Sequence, residues 1–118
     1  MTSEQFEKFE ELGRRAVACE RWRWMPGMRY QVSGTVGRLT DSQCKGKLPL
    51  VAEAVPDLND PATLGCLLAL VRAAWKKPHA YVEFSDKWEV AFYFDVGTHA
   101  FSSTTEASVL VAALKAAP

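Results

Sequence analysis

The segment that begins at Asp60-Pro61 constrains this chain more than any other. Aspartate is a favoured helix N-cap, and proline fits the first helical position, where its missing N–H is not needed. Leu64, Leu67, Leu68, Val71 and Trp75 then recur at i, i+3, i+4, i+7 and i+11. That spacing predicts a helix over 60–76 with one apolar stripe, ended by Pro78. Such a stripe must be buried against another layer. A second band, Gly65, Cys66, Ala69, Ala73 and Ala74, consists of small residues and allows close approach by a neighbouring element or subunit.

The opposing layer comes from downstream. Tyr81 to Phe84 is β-prone. After Ser85-Asp86-Lys87, Trp88, Val90, Phe92 and Phe94 alternate with Glu89, Ala91, Tyr93 and Asp95, which predicts a hairpin with one apolar face. Gly97 turns the chain, and Ala100-Phe101-Ser102 adds a short third strand. Ser103 and Glu106 match a capping box ahead of a closing helix with Val109, Leu110, Ala113 and Leu114. At the other end, Thr2 or Ser3 with Gln5 caps a first helix carrying Phe6, Phe9, Leu12 and Ala16. Its glutamates precede Arg14 and Arg15, the order that suits the helix dipole. Tyr30, Val32, Thr35 and Val36 are β-prone, with Ser33-Gly34 and Gly37 expected at turns or bulges. Residues 40–49 read as a polar loop. The expected fold is α+β: a layered sandwich, a small, mostly antiparallel sheet with three helices packed on it. At 118 residues the chain fits a single domain, 1–118.

Charge narrows the function classes. Fourteen Lys+Arg balance fourteen Asp+Glu, so a bulk binder of nucleic acid is not expected. No apolar run approaches the ~20 residues of a membrane span, and membrane association is not expected. The opening Met1-Thr2-Ser3-Glu4-Gln5 has neither the basic start nor the apolar core of a signal peptide, and the three cysteines, Cys19, Cys44 and Cys66, form no C-x-x-C pair. Both point to the cytoplasm. The zero sum hides a local imbalance. Residues 21–47 carry six basic side chains against Asp41 alone, and residues 48–62 carry Glu53, Asp57 and Asp60 with no base. A local basic region can attract an anionic ligand even on a neutral protein.

The catalytic motifs fail one by one. Gly46-Lys47 is followed by Leu48, and Asp41 stands where a phosphate loop needs its first glycine. No G-x-G-x-x-G, G-x-S-x-G or H-E-x-x-H occurs. Cys44 has Lys45 and Lys47 beside it to lower its pKa, but no base can be assigned to it. Asp60 is explained by its capping role and Asp57 by turn chemistry. His79 and His99 cannot complete a metal cage. No catalytic residue, metal or cofactor is expected.

The most unusual stretch is Arg21-Trp22-Arg23-Trp24-Met25-Pro26-Gly27-Met28-Arg29. An extended chain puts both indoles on one side and Arg21 and Arg23 on the other. Pro26-Gly27 suits the centre of a type II turn. Indole faces stack on planar rings, guanidiniums bind phosphate bidentately, and methionine fills irregular gaps. Arg21, Trp22, Arg23, Trp24, Met25, Gly27, Met28 and Arg29 are therefore the candidate ligand-binding residues. Trp22 or Trp24 would stack, Arg21, Arg23 or Arg29 would hold phosphate, and Gly27 would permit close approach. The alternative is that the indoles anchor the core and the arginines are merely solvated.

Trp22 to Met28, Pro56-Asp57-Leu58-Asn59-Asp60-Pro61-Ala62-Thr63-Leu64-Gly65-Cys66-Leu67-Leu68-Ala69-Leu70-Val71, and Thr105-Glu106-Ala107 leading to Ala112-Ala113-Leu114 resemble short proteins of tailed phages and prophages. Their layout is similar to the phage ABA-sandwich domain, outside residues 31–55. The resemblance implies a phage accessory protein acting in the cytoplasm of the infected host, with no catalytic residue to carry over. It also implies an anti-defence sponge: a homo-oligomer that binds a nucleotide-derived immune signal and holds it uncleaved. The alternative is an inhibitor of a host defence protein that binds through the Trp/Arg/Met patch.

Overall fold

In the computed structural model the described residues are 3–32, 34–45, 53–91 and 99–118; side chains at 3–7, 45, 99 and 100 are not among those described. The expected Thr2 cap, the Ser33 turn position, the Gly46-Lys47 segment, the Phe92–Phe94 end of the alternating strand and Gly97 lie outside them. Element order is α1 (Ser3–Val17), β1 (Arg29–Val32), β2 (Thr35–Arg38), α2 (Asp41–Lys45), β3 (Val55–Pro56), α3 (Pro61–Trp75), β4 (Tyr81–Phe84), β5 (Trp88–Ala91), β6 (His99–Ser103) and α4 (Glu106–Lys115). The fold is α+β with antiparallel pairing throughout the described strands. It differs from the expectation in having two three-stranded sheets, ordered β2-β1-β3 and β4-β5-β6, and a fourth, short helix.

Asp60 caps α3 as its sequence position demands: its carboxylate accepts from the backbone N of Thr63 at 3.0 Å and from Thr63 Oγ1 at 2.9 Å. Pro61 opens the helix. Termination differs from expectation. Lys76 takes the left-handed conformation at φ 55°, and this C-cap, not Pro78, stops the helix. Leu67, Leu70, Val71 and Ala74 are buried, with Leu64, Leu68 and Trp75 packed beside them.

Helix α4 occupies the centre. It packs on β5 and β6 and touches both α1 and α3. Ala107, Val109, Leu110, Val111, Ala113 and Leu114 are all buried, more than one stripe allows, because neighbours cover it on three sides. Trp75 stitches α3 to it, its indole Nε1 donating to the carbonyl of Ala113 at 2.7 Å. The helix starts later than expected. Ser103 pairs with Trp88 as part of β6, so the cap moves to Thr105, whose box partner is Ser108.

Two further expectations change. Gly37 is inside β2 rather than at a turn. It faces Tyr30, and a Cβ there would come within 2.6 Å of the Tyr30 hydroxyl, so the glycine makes room for the ring. Residues 41–45 form α2 rather than loop. Thr40 and Gln43 supply its capping box: Thr40 N donates to Gln43 Oε1 at 2.8 Å, and Gln43 N donates to Thr40 Oγ1 at 3.2 Å.

Candidate functional site

Residues 18–28 cross from the end of α1 to β1 and run beside α3. Burial alternates as the sequence implies: Arg21 and Arg23 are exposed, Trp22 and Trp24 half-buried. The two indoles meet edge to face, with centroids 5.3 Å apart and planes at 87°. This is the arrangement the ring quadrupoles favour. Met25 to Met28 form the expected turn. Met28 N donates to the Met25 carbonyl at 3.2 Å, and Gly27 holds φ +94° between them.

That turn is fastened firmly. Gly27 N donates to the Leu39 carbonyl at 2.9 Å, and Leu39 N to the Met28 carbonyl at 2.8 Å. Arg38 Nη1 donates to the Gly27 carbonyl at 2.7 Å and, with Nη2, grips both oxygens of Asp60 at 2.9 Å. The Arg38 hydrogen bonds, with those from Thr63, hold the Asp60 carboxyl far below the usual carboxylate range against the opposing effect of burial. Arg29 Nε lies 3.3 Å from Asp57, and its backbone N donates to Thr63 Oγ1 at 2.9 Å. Asp57 also makes the turn hydrogen bond expected of it, to Asn59 N at 3.0 Å.

A cleft of about 300 Å³ lies between the 20–23 segment and α3. Glu20, Arg21, Trp22 and Arg23 form one wall, and Leu70, Ala73 and Ala74 the other. The small-residue band of α3 thus leaves the space into which the cleft opens. Arg21 donates to the carbonyl of Pro118. Arg23 has no hydrogen-bonding or ionic partner among the described residues. The Nε1 of Trp22 is buried and has no hydrogen-bond partner among the described residues. Buried donors are nearly always satisfied, so this one stands out.

The candidate residues divide accordingly. Arg21, Trp22 and Arg23 share the cleft, and Trp24 backs Trp22. Met25, Gly27, Met28 and Arg29 do not reach it. Met28 is completely buried among core side chains, Met25 is half-buried against them, Gly27 belongs to the fastened turn, and Arg29 is drawn to Asp57. Sequence reasoning missed Glu20 and Leu70, for which nothing in the pattern signals a site. It also missed the anchoring pair Arg38 and Asp60, for which the opposite charges of the two segments were a signal.

The thiols are poorly suited to nucleophilic work. Burial, helped by Asp41, pushes the Cys44 thiol up rather than down as its lysine neighbours suggested. Burial also raises Cys19 and Cys66. A larger open groove of about 1020 Å³ runs between α1 and the start of α4. Several of its polar groups are already engaged: Arg14 with Glu10 at 2.5 Å, and Ser103, Thr105 and Ser108 with one another around the α4 cap. Among the described residues no cluster of three or more His, Cys, Asp or Glu could hold a metal ion, and no helix is long and apolar enough to cross a membrane. Comparison with protein-family models, curated proteins and solved structures finds no match.

Proposed function

We propose that this protein is a phage accessory anti-defence protein of the infected bacterial cytoplasm, which binds a nucleotide-derived host immune signal and sequesters it without cleavage. The observation that carries the reading is the cleft in which one half-buried indole and two exposed guanidiniums flank the small side chains of α3. An indole face suits a base, and a guanidinium suits a phosphate. The phage setting comes from the sequence resemblance alone. The exposed band of Gly65, with Ala73 further along α3, supports a homo-oligomer in which the cleft is closed by a second subunit.

Calorimetry against cyclic dinucleotides and ADP-ribose derivatives tests the reading. Binding to one of them is expected, with the compound recovered intact after heat denaturation of the complex. No binding to any member at high micromolar concentration overturns it, and recovery of a cleaved product makes the protein an enzyme instead. A second reading, an inhibitor that binds a host defence protein, draws on the exposure of Arg21 and Arg23 around partly exposed tryptophan, residue types that dominate interface hot spots. A stoichiometric host protein retained from lysate in place of a small molecule favours it.

A further inference from the structure

The Trp22 indole N–H is the unexplained group of this molecule. Three facts bear on it. The nitrogen is buried and has no acceptor among the described residues. The side chain that carries it forms part of the cleft wall, with Arg21 and Arg23 on either side in sequence. By contrast, the Nε1 of Trp75, also partly buried, is satisfied by the Ala113 carbonyl at 2.7 Å. A donor withheld from water without a partner is unfavourable, and a group that brings an acceptor to it relieves that cost on binding.

Size adds a second constraint. At about 300 Å³ the cleft is at the lower end of the ~300–1,000 Å³ typical of ligand pockets. That is room for one nucleotide-sized unit per chain, not for two. Glu20 beside the arginines supplies an acceptor, suited to an exocyclic amino group or a ribose hydroxyl rather than to phosphate.

We propose that Trp22 reads the ligand by donating its indole N–H to an acceptor atom of a single nucleotide unit, with Arg23 on the phosphate of that unit. The inference rests on the nucleotide-binding reading above and adds the recognition atom and the ligand size. Because Nε1 is buried, the indole turns as the unit enters. A larger signal places only one of its nucleotide halves in each chain.

The test uses the full chain and four mononucleotides, AMP, GMP, CMP and UMP, with cyclic di-AMP and cyclic di-GMP for comparison. Affinity is read by calorimetry and the indole N–H resonances by nitrogen-15 NMR. A mononucleotide is expected to bind and to move the Trp22 indole signal downfield, while that of Trp75 stays in place as an internal reference. Trp22→Phe keeps a ring in the wall and removes only the donor; it is expected to weaken binding about tenfold. Its fold is checked by an unchanged Trp75 indole signal, and Arg23→Gln provides an independent loss of affinity should that check fail. If a nucleotide binds but the Trp22 signal stays put and Trp22→Phe and Arg23→Gln bind like the parent, the inference is overturned and the binding reading stands. If cyclic dinucleotides bind and no mononucleotide does, the single-unit part is overturned. If none of the six binds, the inference falls, and calorimetry with the ADP-ribose derivatives then decides the broader reading by itself.

Discussion

Replacing Asp60 with alanine removes the carboxylate that fastens the Pro-Gly turn to α3. That group makes two kinds of contact. It accepts from Thr63 N and Oγ1 at the start of α3, at 3.0 and 2.9 Å, and it receives both Nη atoms of Arg38 at 2.9 Å. Losing an N-cap costs about 1 kcal/mol. The Arg38 side chain is 46% exposed, so solvent screens its pair despite the bidentate geometry, and the pair adds only modestly to the cap. The expected loss for Asp60→Ala therefore exceeds the cap alone, a fall in Tm of more than about 4 °C for a domain of this length. Asp60→Asn keeps a capping acceptor and gives up the charge, and Arg38→Gln keeps the cap and gives up the cation. Each is expected to lose less than Asp60→Ala.

Urea denaturation at several pH values checks this. The native Asp60 carboxyl is held below its ordinary value, so the folded state keeps it charged where the unfolded chain takes up a proton. Its contribution is complete above the unfolded value of about 3.9 and declines as pH falls through the range below it. The gap between the parent and Arg38→Gln is thus level between about pH 7 and about pH 5 and narrows below about pH 4. A gap that widens with acid, or an Asp60→Asn variant as unstable as Asp60→Ala, refutes the reasoning.

Three further outcomes are expected. Gly27→Ala meets no atom within 4 Å, so its cost is that of placing a side chain at φ +94°, about 1–2 kcal/mol, read as a lower urea midpoint. Gly65 is exposed in mid-helix with open space around it, so Gly65→Ala is expected to stabilise the folded chain by about 0.5–1 kcal/mol in thermal melts. If α3 is the subunit contact, the same variant lowers the mass measured by light scattering, and an unchanged oligomer removes that face from the proposal. The three thiols, each raised above its ordinary value chiefly by burial, are expected to alkylate slowly near pH 7 and faster as pH rises past about 9; rapid modification at neutral pH contradicts this.

What was legible in the sequence was what repeats over several turns. Asp60-Pro61 and the leucines after it produced a helix where expected, the alternation from Trp88 produced a strand over its described part, and the apolar closing segment produced a helix that begins later than expected. What escaped was short or ambiguous. Strand β3 is two residues long and one is a proline, so it carries no period, yet it pairs with β1 as the third strand of the first sheet. The four consecutive hydroxyls Ser102 to Thr105 offer more than one possible cap. Strand pairing of Ser103 selects among them, and that is a tertiary effect. Of the candidate site, the alternation of Arg21 to Trp24 was readable, because period two survives without a sheet. The partition of Met25 and Met28 into the packed interior was not, because methionine serves a pocket and a core equally well.

The charge pattern carries the last step. A basic run followed by an acidic one looked like a surface waiting for an anion. Much of it is instead self-complementary: Arg29 meets Asp57, and Arg38 meets Asp60, so the two runs neutralise each other across the turn. These pairs hold Met25 to Met28 in place, and that in turn fixes where the chain before it lies along α3. Of the four arginines between positions 21 and 38, Arg21 and Arg23 have no acidic partner among the described residues, and both border the cleft. The arginines that look most like phosphate ligands in the sequence are therefore of two kinds. Arg21→Ala and Arg23→Ala are expected to change binding and leave the melting midpoint nearly unmoved, whereas Arg38→Ala lowers the midpoint first.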